Sequence, residues 1–123
     1  MKIEVSNGEI VDKLTILQIK LERIKDAAKL QNVKKEYDEL EGIVDGILGR
    51  DDPLYQALYD INGKLWDIED RIRELEKAQD FGQEFIDVAR SVYINNDKRA
   101  EIKRDINTKT GSALFEEKSY EDY

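Results

Sequence analysis

The feature that most constrains this chain is an apolar register held without an error: Leu54, Leu58, Ile61, Leu65, Ile68, Ile72 and Leu75 step by four and three residues. That spacing gathers side chains on one face of an α-helix, whereas a half-buried strand requires alternation. The run opens on Asp51-Asp52-Pro53, an acidic cap and a Pro in the first turn, where the missing N–H costs nothing. It predicts a helix of about 26 residues, roughly 40 Å long. Tyr55 and Trp66 lie off the seam, toward another helix or solvent, and Glu69 and Arg73 form an i,i+4 pair on an outer face.

The same spacing recurs upstream. Ile10, Leu14, Leu17, Leu21, Ile24 and Ala28 make one face behind a capping box at Ser6-Asn7-Gly8-Glu9. Val11, Ile16 and Ile19 widen that face, so this helix is expected to meet more than one neighbour. After a break at Lys29-Leu30-Gln31-Asn32, a second run carries Val33, Tyr37, Leu40, Val44 and Ile47, weakened by Gly42 and Gly46 and ended by Gly49. Downstream, Asp80-Phe81-Gly82-Gln83 reads as another capping box, opening a short helix with Phe81, Phe85, Val88, Ala89 and Val92 inward. Asn95-Asn96-Asp97 reads as a break, and Lys98 to Thr110 as a further helix closed by Gly111. The remainder, 112–123, is an acidic tail, either disordered or paired with Ile3 and Val5 in a two-stranded ribbon.

These elements predict an all-α fold: an elongated antiparallel helical hairpin or three-helix coiled-coil-like bundle, with two shorter C-terminal helices. One domain spans 1–123, divided into a hairpin over 6–50, a long helix over 51–79, two short helices over 80–111 and the tail over 112–123.

Composition narrows the chemistry. The chain has no Cys and no His, which excludes disulfides, thiol nucleophiles, imidazole bases and every metal site that needs those ligands. Twenty basic against 28 acidic residues give a net charge of −8, unfavourable for general nucleic-acid binding or for anionic membranes. With no apolar stretch of membrane-spanning length and no signal-like N-terminus, a soluble cytoplasmic protein is the expectation.

Among the remaining groups, Glu36 with Glu39 and Glu84 with Asp87 have the spacing of paired carboxylates that hold Mg²⁺ in helical pyrophosphohydrolases. A chain with 28 acids produces these spacings by chance, and solvated helix faces are the favoured reading. A basic island is more informative: Lys98, Arg99, Lys103, Arg104 and Lys109 face only Glu101 and Asp105 between positions 98 and 109, a local charge of +3. With Asn96 as a helix start, Asn96, Lys98, Arg99, Lys103 and Arg104 form the candidate anion-binding site. The favoured reading of this face, ahead of anion binding, docks it on the acidic bundle or the acidic tail. Six tyrosines and Trp66 offer stacking surfaces, of which Tyr37 falls on the seam and reads as core. No Gly-rich phosphate loop or nucleophile elbow is present, and no catalytic residue, metal or cofactor is assigned.

Three segments carry a family resemblance: Gly8-Glu9-Ile10-Val11-Asp12-Lys13-Leu14-Thr15-Ile16-Leu17; Asn96-Asp97-Lys98-Arg99-Ala100-Glu101-Ile102-Lys103-Arg104-Asp105-Ile106-Asn107; and Gly111-Ser112 leading to Glu117-Lys118-Ser119-Tyr120. The chain resembles a small uncharacterised family, a domain of unknown function found in bacteria and cyanophages. The resemblance implies an association with glycosyltransferase and surface-polysaccharide genes, and supplies no catalytic residue.

Together these features predict a non-catalytic interaction or assembly module, self-associating or docking on a protein partner through its helices, beside enzymes of glycans or sugar phosphates. The alternative is a binding protein or enzyme for a small anion such as a sugar phosphate, by architectural analogy with all-α chorismate mutases, with Arg23, Arg71, Arg99 and Lys103 as clamps. A Mg²⁺-dependent pyrophosphohydrolase is the third.

Overall fold

A computed structural model describes residues 1–117 and 119–122. Four helices follow one another: α1 (Asn7–Arg23), α2 (Ala27–Asp45), α3 (Pro53–Lys77) and α4 (Gln83–Thr110). The fold is all-α, and among the described residues no strand forms. No helix of the described residues is long and apolar enough to cross a membrane.

α1 lies in the middle. It packs against α2, α3 and α4, and α3 and α4 form a second antiparallel hairpin. The common core gathers Val11 and Leu14 of α1, Val44 of α2, Tyr55 and Leu58 of α3 and Ile106 of α4, with Leu48 from the α2–α3 connection. Four-and-three spacing delivers these residues to one end of the molecule. Beyond that end α3 and α4 continue together as a two-helix arm, in which Leu75 is buried but Phe81, Ile86 and Tyr93 remain 52%, 47% and 42% exposed.

Local signals set several helix boundaries. The Ser6 hydroxyl accepts from the Glu9 N–H at 3.2 Å and Asp52 accepts from the Leu54 N–H at 2.8 Å, each relieving an unpaired donor of a first turn. Gly111 ends α4 in the left-handed region at φ 68°, returning its N–H to the Asn107 carbonyl.

Several expectations are corrected. The break after α1 falls at residues 24–26, because Asp26 caps α2 through the Lys29 N–H at 2.9 Å, so 29–32 stay helical. The two expected C-terminal helices are one: α4 runs through Asn95-Asn96-Asp97, and the Asn95 amide donates to the Ser91 carbonyl at 2.7 Å instead of capping a new helix. The Asp80 carboxylate accepts from the Gly82 N–H at 3.3 Å, so the expected capping box becomes a turn and Gly82 takes the cap position. Tyr55, off the seam, takes the first of its two expected settings, against another helix: it is buried, and its hydroxyl donates to Gln18 of α1 at 2.8 Å. Ile3 and Val5 stay exposed, and the two ends meet through Asn7, whose N–H donates to the Ser112 hydroxyl at 3.0 Å and whose side chain donates to Thr110 at 2.9 Å. Lys118 and Tyr123 of the expected tail lie outside the described residues.

Candidate functional site

The most unusual part of the interior is polar. Gly8, Asp12, Thr15 and Ile19 step by four, three and four along α1, and all four are buried. This second seam faces α4 at residues that also recur every four positions: Arg99, Lys103 and Asn107. The helices run antiparallel, so Gly8 meets Asn107 while Asp12 meets Arg99.

At the Gly8 end the backbones come close. The Gly8 N–H donates to the Asn107 side-chain carbonyl at 2.6 Å, and a Cβ on Gly8 would stand 2.4 Å from the Lys103 carbonyl oxygen. Only the residue without a side chain admits this approach.

One turn further on, Arg99 forks onto Asp12, Nε to Oδ1 at 2.9 Å and Nη2 to Oδ2 at 2.5 Å. Asn62 of α3 donates to Asp12 Oδ1 at 2.8 Å and to Thr15 Oγ1 at 2.9 Å, and the Thr15 hydroxyl donates to the Asp12 backbone carbonyl at 2.7 Å. The buried carboxylate therefore has three N–H partners from two helices, the condition under which a buried charge is tolerated. The hydrogen bond it donates to Asp12 is the main reason the Arg99 guanidinium is held above its usual range, against a smaller opposing effect of burial.

Lys103 sits in the same interface. Burial works against its charged form, but the hydrogen bond to Glu116 at 2.8 Å and the fields of Asp12 and Glu9 outweigh it and raise the ammonium above its usual value. Glu9 reaches Lys103 at 3.2 Å, so its carboxylate serves the α1–α4 contact in addition to any role in the α1 cap. Arg104 pairs with Glu117 at 3.1 Å and lies 5.4 Å from the Phe115 ring centroid. Lys98 is exposed and makes no ion pair among the described residues. The basic island thus docks in large part on acids of α1 and of the C-terminal segment. Because α4 is continuous, no free helix N-terminus accompanies Asn96.

Asn96 and Arg99 share the wall of an open cleft of about 630 Å³ between α1, α3 and α4. Ile16, Ile19, Leu65 and Trp66 form its apolar floor; Glu69, Asp70 and Arg73 stand along the α3 side. Arg73 turns back to Glu69 at 3.2 Å, whereas Asp70 has no ion pair among the described residues. The Arg23 guanidinium lies 5.9 Å from the Trp66 ring centroid and pairs with Asp67.

Of the four proposed anion clamps, Arg99 lines this cleft, while Arg71 forks onto Glu84 on the arm at 2.8 and 2.6 Å, and Arg23 and Lys103 are spent on their own carboxylates. The four do not converge. The carboxylate pairs behave similarly: Glu36 pairs with Lys13 at 3.1 Å, Glu84 with Arg71, and Asp87 accepts from Gln83 at 2.8 Å. α2 and α4 do not pack together, so Glu36 and Glu39 do not face Glu84 and Asp87. No group of three metal-ligating side chains occurs among the described residues.

The sequence profile of a family of unknown function matches residues 1–123. The chain belongs to the DUF6165 family. No curated protein and no solved structure matches it.

Asp12, Thr15 and Asn62 were not singled out from the sequence. Their signal is a heptad seam that reads polar: the 4,3,4 spacing through Gly8, Asp12, Thr15 and Ile19 is visible, but only Ile19 is apolar. A search for apolar periodicity passes over it.

Proposed function

We propose that this DUF6165 protein is a non-catalytic helical interaction module that docks a protein partner on the α3–α4 arm and the cleft at its base. The observation that carries this reading is the arm itself, where Phe81, Ile86 and Tyr93 stay exposed on a chain in which six of the seven arginines are held by its own acids. Apolar side chains grouped on a protruding element are a recurrent sign of a contact surface. A place beside enzymes that handle glycans or sugar phosphates, and a bacterial or phage source, belong to this proposal on the strength of the family resemblance alone.

Site-specific photo-crosslinking tests the module. A photoreactive residue placed at Ile86 should give one adduct of defined mass with a partner, and the same residue at the exposed Glu39 of α2 should give none. Identical patterns at both positions, or none at either, would sink the reading. An adduct of twice 14.3 kDa would identify a second copy as the partner.

A receptor for a small anion is the second reading, favoured by the shared position of Asn96 and Arg99 on the cleft wall. Saturable binding of inorganic phosphate by calorimetry, lost in Asn96→Ala, would promote it.

A further inference from the structure

We infer that the cleft between α1, α3 and α4 docks a basic amphipathic helix of a partner protein, an inference that rests on the interaction-module reading and names its partner chemistry. Three observations converge on it. The first is shape: an open trough floored by Ile16, Ile19, Leu65 and Trp66 offers an apolar bed between helices. Helices lie in such grooves by seating side chains at i, i+3, i+4 and i+7. Addition of an extended peptide would need a sheet edge, and the described residues contain no strand.

The second observation is charge. Residues 67–97, which run from the outer part of α3 into α4, hold nine acidic and four basic residues, −5 of the total −8, and the charged lining of the cleft itself balances Glu69 and Asp70 against Arg73 and Arg99. A second copy would bring the same −5 against it, and like charges facing each other across an interface oppose association. A polyanion meets the same field. A basic helix is attracted.

The third observation is how the cations at the cleft are used. Arg99 is forked onto buried Asp12, Arg73 turns back to Glu69, and Arg23 beside Trp66 pairs with Asp67, which leaves Asp70 on the α3 side as a carboxylate without an ion pair among the described residues. The apolar floor would take the aliphatic face of the incoming helix, and Asp70 with its acidic neighbours would meet Lys or Arg on the flank.

Trp66 is the only tryptophan of the chain and lies in the floor, so its fluorescence reports occupancy directly. The probes are an 18-residue amphipathic peptide of Leu and Lys and its Leu and Glu counterpart, neither containing Trp. The native chain should bind the Leu/Lys peptide saturably at one to one, with a blue shift of Trp66, and should ignore the Leu/Glu peptide. Glu69→Lys with Asp70→Lys should weaken binding by about tenfold or more, whereas Glu4→Lys with Glu39→Lys, which changes net charge equally away from the cleft, should weaken it less than about twofold. Absence of any Trp66 change with the Leu/Lys peptide, equal binding of both peptides, or equal loss in both charge-reversed variants would overturn the inference. If the peptide fails while the Ile86 cross-link forms, the partner chemistry falls and the module stands; if both fail, the module falls too.

Discussion

Removing Asp12 should be among the more damaging single changes available, and its cost can be argued from the network around it. Breaking a buried ion pair by deleting one partner costs about 3–5 kcal/mol, because the surviving charge is left without its counter-ion. In Asp12→Ala the survivor is Arg99, whose side chain is 26% exposed and can recover some hydration, so the loss should sit near the low end, about 3 kcal/mol. In Arg99→Met the survivor is the Asp12 carboxylate, only 3% exposed and left with Asn62 as its remaining side-chain donor, so that loss should be the larger, about 4 kcal/mol. The double variant removes both charges and should return to within about 2 kcal/mol of the native chain, since apolar replacements of a buried pair are often close to neutral. Urea unfolding followed by circular dichroism at 222 nm gives the three values, and the cycle should yield a coupling of several kcal/mol. Additive single losses, or an Asp12→Ala variant less stable than Arg99→Met, would refute the reasoning.

Other consequences follow from the same interfaces. Gly8→Ala must place a methyl 2.4 Å from the Lys103 carbonyl oxygen, so α1 and α4 have to separate; a loss of about 2 kcal/mol is expected in the same urea assay. Asn95 is buried with its side-chain oxygen unpartnered, so Asn95→Leu should stabilise the fold by about 1 kcal/mol, read as a rise in Tm of a few degrees. Burial pushes the Tyr55 phenol up to about 12, against an ordinary value near 10. A group raised in the folded state contributes fully below its unfolded value and loses that contribution as pH climbs from about 10 to 12. Absorbance titration at 295 nm should therefore show a late-ionising component that is diminished in Tyr55→Phe, and that substitution should move alkaline unfolding to higher pH.

Much of the helical plan is legible in the sequence because its determinants act over a single turn. Asp52 with Pro53 starts α3, Ser6 starts α1 and Gly111 ends α4, each through backbone groups within a few residues. The reading fails where two local solutions compete. Asn95-Asn96-Asp97 has the composition of a break, yet helix packing against α3 holds it helical and Asn95 satisfies its amide on the preceding turn. Asp26 and Asn32 are both acceptable caps, and the chain uses Asp26.

The candidate site shows the same division. The basic residues of α4 stand out in the sequence as an island of +3, and Asn96 and Arg99 do reach a common cleft. What the island touches is non-local: Asp12 lies 87 positions from Arg99, and Glu9 lies 94 from Lys103. Charge on a helix face has the same appearance whether it meets water, a ligand or a buried acid.

The sequence by itself determined that this chain is helical, where α3 and the end of α4 fall, and which chemistries a protein without Cys or His must do without. Only the tertiary structure decided that α1 is the central helix, that its second seam is polar, and that the basic residues of α4 are shared among acids of α1, the C-terminal segment and Asp52. The reason is range: capping and apolar periodicity are settled within a turn or two, while the pairing of Asp12 with Arg99 exists only once α1 and α4 lie antiparallel with Gly8 close enough to let them touch.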